Sequence, residues 1–263
     1  MAIPFFSPGD DPGPDFAALI RRTGNQPAEI PAEASDLIQI THGTTCVAVR
    51  YADGVVMAGD RRATSGNWIS HRSIEKVFPA DRHSGVAIAG AAGPAVEMVR
   101  LFQLQLEHYE KVEGALLSLE GKANQLSGMI RNHLPQAMAG LAVIPIFAGY
   151  DTARDVGRLF QFDVTGGRYE EADHTATGSG SMHASTVIKL GFSDALTREE
   201  AVDLVLRSLW EAADEDSATG GPDLIRRIFP VVATITADGF TRLPDDELET
   251  RARALIDGLG GDR

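Results

Sequence analysis

The sequence predicts an α+β protein, a four-layer αββα sandwich in which two antiparallel sheets stack face to face between outer helices. Three features predict it. Strand patterns come in blocks separated by pairs of helical patterns, instead of the one-by-one alternation of a parallel sheet. The run Val55-Val56-Met57-Ala58-Gly59 has no polar face, as expected of a strand covered on both sides. The long segments between the strand blocks carry apolar residues at three- and four-residue steps, the mark of helices lying on a core with one face.

Residues 1 to about 35 are punctuated by Pro4, Pro8, Pro12, Pro14, Pro27 and Pro31. That is too frequent for a packed element, so the segment reads as a flexible leader with one short amphipathic turn, Phe16-Ala17-Ala18-Leu19-Ile20. Order is expected from about Thr44. Thr45 to Tyr51 is β-rich, Ala52-Asp53-Gly54 is a hairpin turn signal, and 55–59 is the return strand. Residues 74–78 and 86–89 read as two further strands, so four strands precede the first helix. Val96, Val99, Phe102, Leu106 and Tyr109 then define a helix over 94–113, opened by Gly93-Pro94. Leu119, Ala123, Leu126, Ile130 and Leu134 define a second over 118–139. Strands follow at 141–150 and 158–164, then helices at 182–190 and 197–214, the latter begun by the capping box Thr197-Arg198-Glu199-Glu200. A hairpin at 229–236 and 240–243, around Asp238-Gly239, and a helix over 245–258 complete the chain.

Composition narrows the function classes. A chain of 263 residues with 43% hydrophobic and 23% charged residues fits a globular protein of one large domain or two small ones, and it can bury a core without disulfides or a structural metal. A net charge of −13 argues against nucleic acid and against anionic membrane surfaces as partners. The single cysteine, Cys46, sits in the apolar run Cys46-Val47-Ala48-Val49 and reads as a small buried hydrophobe. The N-terminus has neither the basic flank nor the apolar core of a secretory signal, and no apolar run approaches the ~18 residues that span a bilayer. A cytoplasmic location is expected.

The chemistry gathers around Thr41-His42-Gly43-Thr44-Thr45, where a leader ends at a glycine and a strand begins with threonines. Threonine favours strands and glycine favours turns, so the junction has a purely structural explanation. It has a chemical one too. Cleavage after Gly43 would put a hydroxyl and a free α-amine on one residue, and an amine with a pKa near ~8 can take the hydroxyl proton as a local base. Asp60, in Gly59-Asp60-Arg61-Arg62-Ala63-Thr64, reads either as a salt-bridged turn or as a charged partner for this threonine. Lys76, in Ile74-Glu75-Lys76-Val77-Phe78, reads either as an edge-strand lysine or as a buried partner of Asp60. Ala89-Gly90-Ala91-Ala92-Gly93 joins a strand to a helix and serves either close packing or an oxyanion-binding N–H.

Taken together, Thr44-Thr45-Cys46-Val47-Ala48-Val49, Gly54 to Arg62, Lys76-Val77-Phe78 and Gly90 resemble the catalytic β subunits of proteasomes. Asp60, Lys76 and Gly90 fall 16, 32 and 46 positions after Thr44, in register with that family. Gly178-Ser179-Gly180-Ser181 and Asp216-Ser217-Ala218-Thr219-Gly220-Gly221 match two further motifs, and the wording resembles the actinobacterial type in particular. The resemblance implies an N-terminal-nucleophile hydrolase fold and a threonine endopeptidase, made as a zymogen. Residues 1–43 would be a propeptide removed by cleavage between Gly43 and Thr44, and 44–263 the catalytic domain. Thr44 would be the nucleophile, Lys76 and Asp60 would ease its deprotonation, and the Gly90 N–H would hold the oxyanion. Ser179, Asp216 and Thr219 would support the Thr44 end, with Thr219 standing where many relatives carry serine. Ala63, Thr64, Ile88, Ala92 and Val96 would form the substrate pocket, and its apolar members imply cleavage after hydrophobic residues. The resemblance implies seven-membered β rings stacked on rings of α-type subunits, an ATP-dependent or other regulatory cap, unfolded protein substrates, and neither cofactor nor metal. Two alternatives share the fold: a small amidase or simpler protease ring of the same hydrolase type, and a non-catalytic ring subunit.

Overall fold

The computed structural model describes residues 43–260. The leader expected ahead of Thr44, with its turn at Phe16 to Ile20, lies outside the described residues. Strands β1 (Thr45–Tyr51) and β2 (Gly54–Gly59) form the expected hairpin. A second, short hairpin follows, β3 (Ala63–Ser65) and β4 (Trp68–His71), before β5 (Val77–Asp81) and β6 (Ser84–Gly90). Among the described residues six strands therefore precede the first helix, instead of four. The extra pair is short, with β3 partly buried and β4 exposed, has no apolar alternation, and turns at Gly66 with φ 56°, so it leaves no periodic signal. The strand expected at 74–78 starts later, at Val77, and leaves Lys76 in the segment that enters it. It lies at a sheet edge, where Pro79 costs no ladder bond.

Helix α1 (Ala92–Glu113) begins two residues before the expected start and ends at Gly114 in the left-handed conformation. The helix expected over 118–139 is two: α2 (Leu119–Asn132), capped by the Ser118 side chain, and α3 (Leu134–Met138). Pro135 lacks an N–H and crowds the preceding turn, so the chain restarts with proline in the new first turn. β7 (Val143–Asp151) and β8 (Val156–Phe162) match expectation. β9 (Arg168–Glu171) and β10 (His174–Gly178) are short and polar-rich and carry no such signal. α4 (Ser181–Gly191), α5 (Arg198–Glu215) with its Thr197 capping box, β11 (Val231–Thr236), β12 (Gly239–Arg242) and α6 (Asp245–Gly260) complete the described chain.

Two five-stranded antiparallel sheets result, in the orders β10-β1-β2-β11-β12 and β5-β6-β7-β8-β9. The period-two alternation of the central strands sorts their side chains into layers. Cys46, Ala48, Val55 and Met57 meet Ala87, Ile146, Ala148 and Leu159 between the sheets. Val47, Val49, Val56 and Ala58 face outward onto Ile188, Val205 and Leu209 of α4 and α5. On the far side, Val86, Ile88, Phe147 and Phe160 pack against Val99, Phe102 and Leu126 of α1 and α2. Phe147 meets Phe102 edge-on at 5.8 Å and stacks on Phe160 at 5.9 Å. The order is helix, sheet, sheet, helix, as predicted. Among the described residues no helix is long and apolar enough to cross a membrane.

Candidate active site

Pairing places the site before any side chain is considered. Cys46 lies opposite Gly59 in the β1–β2 hairpin, so the next residues, Thr45 and Asp60, meet at its open end. Their backbones join there, the Asp60 N–H donating to the Thr45 carbonyl at 3.1 Å. On the other flank of β1, Thr45 lies opposite Gly178 of β10, which brings Ser179 beside Thr44. The Ser179 N–H donates to the Thr44 carbonyl at 2.8 Å. Thr44 thus sits at the mouth of a sheet, 5% exposed, held from both sides.

The side toward β2 is charged and dry. Asp60 is fully buried and accepts four hydrogen bonds. The Thr45 N–H (2.8 Å) and Lys76 Nζ (2.6 Å) reach Oδ1; the Arg62 and Gly220 N–H groups, each at 2.9 Å, reach Oδ2. Lys76 is 3% exposed and also donates to the Arg62 carbonyl at 2.6 Å. A charge pair this far from water survives because nearly every lone pair and proton is matched. The edge-strand alternative for Lys76 does not describe it. Its own carbonyl accepts from the Ile88 N–H at 2.9 Å, which fixes it against β6.

The side toward α4 is built of hydroxyls around one carboxylate. Asp216 Oδ2 accepts from Ser179 Oγ at 2.5 Å and from Thr219 Oγ1 at 2.6 Å, and Oδ1 accepts from the Ala218 N–H at 3.0 Å. Burial pushes the Asp216 carboxyl up, but these three bonds outweigh it and hold it below the ordinary carboxylate value. Ser179 Oγ in turn lies 3.4 Å from the Thr44 nitrogen, which donates to it. Thr219 therefore brings its hydroxyl to the carboxylate, its extra methyl notwithstanding.

Gly43 and Gly90 are both dictated by space. A Cβ on Gly43 would lie 2.2 Å from Ala218 Cβ and 2.6 Å from Thr64 Oγ1. Gly90 has φ +113°, and a Cβ there would lie 2.1 Å from the Ala142 carbonyl oxygen. Thr44 Oγ1 donates to the Gly43 carbonyl at 2.6 Å, so the hydroxyl already addresses the peptide bond that precedes its own residue.

Gly43, Thr44, Lys76 and Gly90 line one cleft of about 260 Å³. All five residues expected to contact substrate, Ala63, Thr64, Ile88, Ala92 and Val96, line the same cleft. Sequence reasoning missed Ile74 and Ala95, which extend its apolar wall, and Ser70, His71 and Glu75, which add polar groups. Ser70 and His71 arrive on the unforeseen hairpin; Ala95 was legible one turn after Ala92. Glu75 is engaged by Arg242 at 2.6 Å, so its charge is offset at the cleft edge. Cys46 lies elsewhere, between the sheets, and burial pushes its thiol up to about 12.

A family model described as proteasome subunit matches residues 40–225. The chain is 60% identical to the proteasome subunit beta of Acidimicrobium ferrooxidans over 255 residues, which is 97% of this chain and 93% of the relative. It is 54% identical to the proteasome subunit beta of Streptomyces griseus over 258 residues, covering 96% and 90% of the two chains. The chain belongs to the proteasome subunit family.

Proposed function

We propose that this chain is a threonine-type endopeptidase subunit of a proteasome core particle, made as a zymogen and activated by cleavage between Gly43 and Thr44. The observation that carries the reading is one cleft that gathers Thr44, Lys76 and Gly90, with Asp60 buried beneath and apolar walls beside them. A non-catalytic subunit has no use for a buried, hydrogen-bonded ion pair at the root of a strand threonine.

In the intact chain the Thr44 nitrogen is an amide and cannot take a proton. The first cut therefore has Thr44 Oγ attack the Gly43 carbonyl carbon, its proton leaving to a water. The C–N bond breaks as the ester forms, so the Thr44 nitrogen takes up a proton and leaves as the free amine; a second water then hydrolyses the ester, releasing the Gly43 carboxylate and restoring the Thr44 hydroxyl. In turnover that amine takes the hydroxyl proton as Oγ bonds to the substrate carbonyl. The oxyanion rests on the Gly90 N–H, the proton passes to the departing amine, and water then hydrolyses the ester left on Thr44, releasing the acid product and restoring the hydroxyl. Lys76, held by Asp60, supplies fixed positive charge close to the forming alkoxide. Ser179, Asp216 and Thr219 orient the amine. Residues 1–43 are the propeptide in this reading, and 44–263 the working domain.

The cleft walls formed by Ala63, Ile74, Ile88, Ala92, Ala95 and Val96 favour hydrophobic side chains before the cut. The reading extends to seven-membered rings stacked on α-type rings, a regulatory cap, unfolded protein substrates and a cytoplasmic setting. Intact mass and N-terminal sequencing of the assembled particle test it. A mature chain starting at Thr44 is expected, together with loss of processing and peptidase activity in Thr44→Ala. A mature start elsewhere, or an active Thr44→Ala particle, overturns it.

A further inference from the structure

Thr45, the residue after the proposed nucleophile, is tied to both sides of the site by its own polar groups. Its N–H donates to Asp60 Oδ1 at 2.8 Å. Its hydroxyl lies 2.6 Å from Thr219 Oγ1 and accepts from the Gly180 N–H at 3.0 Å. Thr45 and Thr219 are both fully buried, so water cannot replace either partner.

The direction of the hydroxyl chain follows from what each member can give. An ionised carboxylate only accepts, a backbone N–H only donates, and a hydroxyl has one proton to donate. Thr219 commits its proton to Asp216 Oδ2, so between the two threonines the donor is Thr45. The Gly180 N–H fills an acceptor position on Thr45. The chain therefore runs one way, from Gly180 through Thr45 and Thr219 to Asp216. Ser179 also gives its proton to Asp216 at 2.5 Å, which leaves it a lone pair for the Thr44 nitrogen. Gly180 follows Ser179 directly and is the N-cap residue of α4. The Thr45 hydroxyl thus anchors the chain beside Ser179 and, through Thr219, the carboxylate that Ser179 binds.

We propose that Thr45 is a positioning residue for the peptidase reaction, its hydroxyl fixing Ser179 and Asp216 so that Ser179 accepts an N–H from the Thr44 amine. An amine held this way keeps its own lone pair for the Thr44 hydroxyl proton. The proposal rests on the reading of Thr44 as nucleophile.

The test compares Thr45→Val, which keeps the shape and removes the hydroxyl, with Thr45→Ser, which keeps the hydroxyl, both in the full chain assembled with its α-type partners. Thr45→Val is expected to lower kcat about tenfold with KM changed by less than about twofold, the size of one or two buried hydrogen bonds. Thr45→Ser is expected to stay within about threefold of the parent. Thr219→Val should slow turnover similarly, and the double Val variant should be no slower than the slower single one, because both break one chain. A Thr45→Val particle with the parental kcat, equal losses in the Val and Ser variants, or additive losses in the double variant would overturn the proposal. Should Thr45→Val fail to mature, Thr45→Ser decides: a processed, active particle supports the hydroxyl's role and an unprocessed one refutes it. Thr44→Ala run in parallel separates the two claims. Activity there removes the nucleophile assignment itself, whereas a dead Thr44→Ala beside a fully active Thr45→Val removes only the role of Thr45.

Discussion

Asp60 and Asp216 each sit within a few residues' reach of Thr44, yet the protein treats the two carboxylates differently. Asp60 is fully buried, bonded to one cation and three backbone N–H groups. Asp216 is half-buried, bonded to one backbone N–H and two hydroxyls, one on the buried Thr219 and held by Thr45, the other on the exposed Ser179. Backbone donors cannot turn away, so the Asp60 side is rigid and its charges act through a dry interior. The Asp216 side can follow changes at the Thr44 nitrogen, which is the atom that changes from amide to amine on cleavage. Rigid charge beneath the hydroxyl and the adjustable Ser179 hydroxyl beside the nitrogen suit the two atoms they serve.

The largest expected effect breaks the rigid side. Lys76→Ala leaves a buried carboxylate without its cation, so stability should fall by about 3–5 kcal/mol. Peptidase activity should fall about a thousandfold in whatever folds, in line with losing a group that assists proton transfer. Denaturant midpoints and a fluorogenic peptide assay read both; a variant as stable as the parent would mean the Asp60 side is not dry. Next comes Gly43→Ala, whose Cβ would be driven into Ala218 Cβ at 2.2 Å. Overpacking of this kind costs about 1–3 kcal/mol, so appearance of the mature N-terminus should slow about ten- to a hundredfold. Turnover by already matured particles should be untouched, since Gly43 has left them. Smaller again is Ser179→Ala on the adjustable side. A drop in kcat of about tenfold is expected, with stability changed by under about 1 kcal/mol because the side chain is exposed. A Ser179→Ala particle as unstable as Lys76→Ala would erase the contrast between the two carboxylates.

What could be read in advance follows the same division. The rigid side stands on strand pattern and fixed spacing. The β1–β2 hairpin brings Thr45 to Asp60, and an apolar run around Lys76 is unusual enough for a lysine to be noticed. The adjustable side comes from chain separated by more than a hundred residues, on β10 and a loop after α5. β10 has only five residues, three of them partly exposed and the two buried ones threonines, so neither its existence nor its pairing with β1 shows in hydrophobic periodicity. There the family resemblance, not local physics, supplied Ser179, Asp216 and Thr219. Thr45 escaped notice for a different reason. A strand threonine carries no distinguishing signal, and its hydroxyl acquires a role only when Gly180 and Thr219 arrive around it. The β3–β4 hairpin was lost likewise, since short, largely exposed strands need no alternation.

An effect absent at neutral pH and confined to alkaline solution probes how dry the Asp60 side is without touching it. Cys46 lies between the sheets, with its Sγ 3.5 Å from the Ile88 carbonyl and within electrostatic reach of Lys76 and Asp60. Burial is the main reason its pKa rises from 9.0 to about 12; Lys76 acts against the rise and Asp60 with it. Between those two values the folded protein keeps a proton that the unfolded chain has lost. Stability owed to this thiol is therefore complete below pH 9 and declines as pH rises toward about 12. The comparison that isolates it is parent against Cys46→Ala, since both lose other groups equally. Above pH 9 the parent should lose about 1 kcal/mol more than the variant per pH unit, seen in paired denaturant midpoints. At pH 8 the native thiol should resist iodoacetamide, because the thiolate is the reactive form. Parallel pH curves for the two proteins, or ready alkylation of the native chain, would mean that water reaches the layer beneath Asp60 and that its four donors, not exclusion of solvent, hold that charge in place.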